Sequence, residues 1–318
     1  MITPDPDKIE QMNTEVNGKL TSAFRYLISD VLQRPDAAKI VSCAPPVHAL
    51  QFLMREAAAR NDVADIQSLY DTHGHILYKT DDTTACQIMP LASPKMGVSD
   101  TAMYRAAFQD DVGLTTQRTT PSAALITHFN ALFSQIHHTM QQHLPLWSRE
   151  LESLVRTIVL ATAQENKFGG ASAFAGWGSV LVNPASCHSV LGTALTIVHE
   201  SSHLKLFYPY LDDEIVLNDP DDRYASPLRR EARPMNGIYH AAFVLARMVL
   251  FLQDVKDIDT EHCVFGGVSM QDVHQEQAQL ITAFDAAYDV IASQGVLTPL
   301  GQKIIHEAAD VVARCAQP

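Results

Sequence analysis

At 318 residues, with 47% hydrophobic and 19% charged side chains, the chain has the composition of a folded globular protein and can bury a substantial core. Its formal net charge of -13 leaves no basic surplus for neutralising phosphates, which argues against a nucleic-acid partner. The start, Met1-Ile2-Thr3-Pro4-Asp5-Pro6-Asp7, lacks a basic, apolar leader pattern, and the apolar stretch 241–252 is short and interrupted by Arg247; the expectation is a cytoplasmic protein that does not span a membrane.

In chain order, apolar residues recur at three- and four-residue spacing over 9–32, 47–59 and 123–144, predicting a helical N-terminal scaffold. Pro90, Pro94 and Gly97 break 89–98, which reads as an extended loop. His73 and His75 would share one face of a strand, and His137 and His138 sit in a helix; both pairs read as solvent-exposed side chains. After Trp147 the β-branched runs 155–160 and 179–183 predict two strands of a small sheet, separated by the Gly-rich 168–178, where Trp177 is a candidate for lining a cleft. A helix opened at His188 or Ser189 runs to Pro209, a second begins with Pro234 in its first turn, and amphipathic helices over 271–293 and 299–316 close the chain, the last capped by Thr298. The expected class is α+β and predominantly helical: a helical part at 1–150, a metal-site core with short strands at 151–265 and C-terminal helices at 266–318. Five cysteines, odd in number and with no CxxC pair, suggest neither a disulfide framework nor a zinc ribbon.

The chemistry concentrates at His199-Glu200-Ser201-Ser202-His203. Residues four apart share a helix face, so two imidazoles can reach one ion while Glu200 projects beside it. At this His and Glu content the pattern arises by chance about 0.02 times in a chain of this length, so a metal site outweighs two histidines satisfied in a core. Two imidazoles seldom hold a catalytic ion alone. Leu206 and Pro209 stand where a metzincin needs Gly and His, and neither Glu214 nor Glu231, the carboxylates open to a gluzincin-like site, lies in a convincing helix. His240, a lone imidazole on an apolar helix, is the stronger candidate for third ligand.

Between the two helices lies Pro227-Leu228-Arg229-Arg230-Glu231-Ala232-Arg233-Pro234, followed by Gly237 and His240. HExxH, then Pro-x-Arg-x-acidic-x-Arg-Pro, then Gly-x-x-His resembles the HExxH-motif proteins found beside peptide natural-product genes, over roughly 172–243; Leu228 departs from that pattern, which carries Trp there. The resemblance implies an iron(II)- and 2-oxoglutarate-dependent oxygenase that hydroxylates the β-carbon of a residue in a peptide or related substrate, a ribosomal precursor peptide among the options. Iron(II) would be held by His199, His203 and His240, with open positions for the keto acid and O2. Arg233 first and Arg229 second, ahead of Arg230 and Arg223, would pair with the distal carboxylate of 2-oxoglutarate through the planar guanidinium fork. Glu200 could orient a ligand, bind the metal or position water or substrate. The rivals are a zinc peptidase with Glu200 as general base and a binding protein that keeps the fold without catalysis.

Overall fold

The computed structural model describes residues 1–80, 86–108, 118–163, 168–226, 231–259 and 261–317. In chain order it contains α1 (Pro6–Tyr26), α2 (Pro45–Ala59), α3 (Val63–His73), β1 (Gln87–Pro90), α4 (Val98–Ala107), β2 (Arg118–Thr119), α5 (Ala123–His143), α6 (Pro145–Leu154), β3 (Thr157–Leu160), β4 (Thr162–Ala163), β5 (Gly170–Ala171) and β6 (Ser179–Val182). It ends with α7 (Val190–Phe207), α8 (Met235–Ile258), α9 (Met270–Gln294) and α10 (Pro299–Cys315). The protein is α+β and predominantly helical.

The chain divides into two compact units: a sheet unit, Asp7–Asn130 with Leu151–Cys187, and a helical unit, Met1–Pro6 with Ala131–Glu150 and His188–Pro318. This differs from the division expected at 150 and 265, because the strands join the N-terminal helices and the HExxH helix joins the C-terminal ones. Strand pairing is the first reason: β1 lies parallel to β3, and β3 parallel to β6, in a sheet of order β1-β3-β6-β5 with β5 antiparallel to β6.

In the sheet unit β3 and β6 are buried along their whole length, as parallel strands covered on both faces must be. The expected loop 89–98 is corrected at both ends, since Met89 and Pro90 finish β1 and Val98 opens α4. Pro90 is tolerated because β1 is an edge strand, where a missing N–H costs the ladder little. The strand expected around His73 and His75 is also absent: His73 ends α3 and bonds Ser99 at 2.9 Å, and His75 stands exposed in a 3-10 turn. Trp177 is core, 4% exposed, and its indole N–H donates to Asn13 at 3.0 Å.

The helical unit is built around α8, which packs on α7, α9 and α10. By length and apolarity α8 could cross a bilayer, but 72% of its most apolar window is buried within the protein, and Arg247 in its middle is wholly buried: it is a core helix. Caps set the ends of its neighbours. Ser189 accepts from Gly192 N–H at the start of α7, Ser269 and Asp272 form a capping box at α9, and Thr298 caps α10 as expected. Pro234 takes the N-cap position of α8, one place earlier than expected.

A buried ion cluster fixes α7 against α8. Glu150 pairs with both Lys205 and Arg247; Lys205 Nζ also donates to Thr3 O at 2.8 Å, and Arg247 donates to Ile2 O at 2.7 Å and to Ser202 Oγ at 2.8 Å. Burial alone would raise the Glu150 carboxyl, but Arg247 and Lys205 outweigh it and hold the group below its usual range.

Candidate metal centre

The helix that carries the motif is apolar on nearly every side, with Leu191, Ala194, Leu195, Ile197, Val198, Leu204 and Leu206 buried, as befits a helix enclosed by its neighbours. His199 and His203 are partly exposed, as are Val190, Thr196 and Phe207. The Nε2 atoms of the two histidines lie 3.3 Å apart, and Glu200 Oε1 lies 4.0 Å from His199 Nε2 on a side chain that is almost wholly buried. Among the described residues, His199, Glu200 and His203 form a group of potential metal donors whose ligand atoms all lie within 4.8 Å of one another. Two nitrogens each about 2.0–2.1 Å from a common ion at a tetrahedral angle are separated by roughly 3.3 Å, so the imidazole pair already has the spacing of a coordination edge.

His240, projected from α8, also reaches His203, its Nδ1 3.3 Å from His203 Nδ1. The contact uses the other nitrogen of the ring: His203 turns Nε2 toward His199 and Nδ1 toward His240, and those two nitrogens diverge. As placed, the structure therefore brings all three histidines together but groups His199 and His203 with Glu200. A half-turn of the His203 ring about Cβ–Cγ would exchange Nε2 with Cε1, the carbon bonded to both nitrogens, and set Nε2 between the positions now facing His199 and His240. His240 is otherwise boxed by aromatics, with ring centroids 5.5 Å from Phe207 and 5.4 Å from Tyr210. Sequence reasoning passed over both; their signal is their place directly after the motif helix, where an aromatic pair can wall an imidazole.

Burial and neighbouring charge keep His203 and His240 neutral. Burial, then the neighbouring His199, His240 and Arg233, pushes His203 well below its usual value; burial, then Arg233, lowers His240 to about 4. Neutral imidazoles offer the lone pairs a divalent transition metal requires, and a carboxylate beside them completes a donor set of the two-His-one-carboxylate type.

Arg233 belongs to this centre. It pairs through its backbone with Tyr224 in both directions at 2.9 Å, immediately before α8. Its guanidinium lies along the first turn of that helix, where a Cβ on Gly237 would stand 3.3 Å from Nε. Gly237 thus leaves the fork room beside the histidines. Arg223 donates instead to the loop carbonyls of Pro220 and Asp222 and is a loop-closing residue. Arg229 and Arg230, with Pro227 and Leu228, lie outside the described residues. Glu214 and Glu231 are exposed and do not join the donor group.

No protein-family model and no curated protein matches the sequence. The centre is therefore read from its own geometry. Beside it an open groove of about 940 Å³ runs from Tyr210, the ring packed on His240, along Asp213, Glu214, Val216 and Leu217 to Met235. Its wall is fixed in shape: Ile215, wholly buried, holds a φ of +62°, and Asp213 Oδ1 accepts both the Ile215 N–H and the Thr298 hydroxyl at 2.7 Å. A β-branched residue in that conformation costs about 1–3 kcal/mol, so the surrounding bonds must over-determine it.

Proposed function

We propose that the protein is a cytoplasmic iron(II)- and 2-oxoglutarate-dependent oxygenase that hydroxylates an unactivated carbon, the β-carbon of a residue in a peptide or amino-acid-derived substrate. The observation that carries this reading is the juxtaposition of His203 and His240, whose pKa values are lowered, with the Arg233 fork at the first turn of α8. A peptidase needs the histidines and Glu200 and has less need of a guanidinium at that place, whereas a dicarboxylate that chelates through its keto acid needs a cation for its far end.

In this reading His199 and His203 hold the metal and His240 completes the protein ligands, with Glu200 as the rival third donor. Iron(II) held there would supply the activation of O2 that couples oxidation of 2-oxoglutarate to succinate and CO2, with one oxygen atom going to succinate and the other to the substrate carbon as a hydroxyl. The chain's own contributions are specific. Arg233 binds and orients the distal carboxylate, and Gly237 permits that pose. Glu200, enclosed and beside His199, orients whatever occupies the position next to that ring. Phe207 and Tyr210 keep water from the His240 side, and the groove beyond Tyr210 receives the substrate chain.

The test is succinate release from 2-oxoglutarate by the purified protein loaded with iron(II) or with zinc. Iron-dependent, O2-dependent succinate, with Arg233→Ala raising the 2-oxoglutarate KM about tenfold or more while iron binding is kept, is the expected result. Peptide hydrolysis with zinc alone, abolished by Glu200→Gln, would replace this reading with the peptidase.

A further inference from the structure

A metal-bound imidazole is usually held in its plane by the bond its second nitrogen makes to a carboxylate, a carbonyl or a water. His240 lacks such a bond within the chain. Its Nδ1 faces His203 at 3.3 Å, and its Nε2 has no hydrogen-bond partner among the described residues. Ring packing sets its plane instead, with centroids 5.5 Å from His203, 5.5 Å from Phe207 and 5.4 Å from Tyr210. His203 and Phe207 belong to α7, whereas Tyr210 stands past its end, in the 3-10 turn Pro209–Leu211.

Tyr210 is also the one of these three that is tied to α8 by a second contact. Its hydroxyl donates to Asn236 Oδ1 at 2.5 Å. Asn236 lies four residues before His240, so the two side chains share a face of α8, and the tyrosine spans that face with its ring on the imidazole and its hydroxyl on the amide. Burial, then Tyr239 and Asp213, pushes the phenol up, so it remains a donor. A single contact would let the ring pivot; two contacts about 6 Å apart along the helix axis leave it one place against His240. The same side chain forms the inner end of the groove.

We propose that Tyr210 is the positioning residue of His240: clasped to Asn236, its ring sets the plane in which the imidazole meets the metal. The proposal rests on His240 being a metal ligand, as in the reading above, but its test needs neither 2-oxoglutarate nor O2. Cobalt(II), whose visible absorption reports coordination number and ligand type, is titrated into the full chain and its variants, with metal-free melting temperatures recorded alongside. Tyr210→Leu should lower cobalt affinity about tenfold and move the absorption bands toward those of His240→Ala. Tyr210→Phe and Asn236→Ala keep the ring and open only the clasp; each should lower affinity about threefold, and no further in combination. Asn236 is exposed, so its variant keeps the fold even where Tyr210→Leu is destabilised. In a His240→Ala background Tyr210→Leu should have no added effect, because the ring it positions is gone. Wild-type affinity and spectrum in Tyr210→Leu and Asn236→Ala overturn the proposal, as does a loss that persists undiminished in the His240→Ala background, which makes Tyr210 a packing residue only. A wild-type spectrum in His240→Ala also overturns it, and leaves the oxygenase reading to stand or fall on Glu200 as third donor.

Discussion

The same two helices, α7 and α8, carry two polar clusters of opposite kinds. Lys205 and Ser202 on α7 meet Arg247 on α8 in a wholly buried group closed by Glu150, where both cations face the carboxylate and also donate to backbone carbonyls and to the Ser202 hydroxyl. His199 and His203 on α7 meet His240 on α8 in a partly exposed group whose nitrogens face one another at 3.3 Å. The first cluster is satisfied by its own counter-charges; the second is a set of imidazoles whose 3.3 Å N···N contacts take their donor and acceptor from the tautomer, so the same nitrogens can bond one another or turn their lone pairs to a metal ion. That difference separates a polar group retained for structure from one retained for chemistry.

The comparison breaks first at Glu150. Glu150→Leu leaves two buried cations without their carboxylate and should cost about 3–5 kcal/mol in urea unfolding. If His199→Ala proves equally destabilising in the metal-free protein, the two clusters are of one kind after all. The second prediction concerns that variant directly. His199→Ala and His203→Ala should each lower iron(II) affinity at least about a hundredfold, roughly 2.7 kcal/mol, with little change in metal-free stability for His199→Ala. The same titration of His240→Ala and Glu200→Gln decides between their roles, the larger loss marking the third donor.

How far this was legible depended on the range of the signal. The motif helix, its Ser189 cap and the His240 helix are local patterns, written in three- and four-residue spacing and cap chemistry, and the structure places them where that spacing puts them. The parallel pairing of β1 with β3 was not legible, because Gln87-Ile88-Met89-Pro90 is short, ends in proline and finds its partner about seventy residues away. Nor was the role of Glu150, which sits among Arg149 and Glu152 in a helix that reads as a charged surface. Its signal lay elsewhere: Lys205 and Arg247 are lone cations in apolar helices, and each such cation implies a buried carboxylate. The divergence of the two His203 nitrogens is a matter of ring rotation that no spacing encodes.

A third buried polar group tests the middle of the comparison. His48 in the sheet unit is buried, and its Nε2 has no partner among the described residues; burial, then the Arg156 charge, lowers it to about 3. The unfolded chain binds this proton below about pH 6.5 and the folded chain does not until about 3, so stability is full above the upper value and falls with pH between them. At pH 5 the loss is on the order of 2 kcal/mol, and His48→Leu should flatten that part of the stability profile relative to wild type. An unchanged slope would mean that His48 charges within the fold. The smallest effect is expected at Ser189→Ala, which removes the α7 cap and costs about 1 kcal/mol of stability without altering iron affinity.

The central claim, that the histidine centre with Arg233 is a 2-oxoglutarate oxygenase site, is met most directly by an anaerobic titration of the iron(II)-loaded protein with 2-oxoglutarate. The account predicts a visible metal-to-ligand charge-transfer band that saturates with the keto acid, is absent in His203→Ala, and needs a higher concentration in Arg233→Ala. A protein that binds iron(II) yet shows no such band at any 2-oxoglutarate concentration would contradict it.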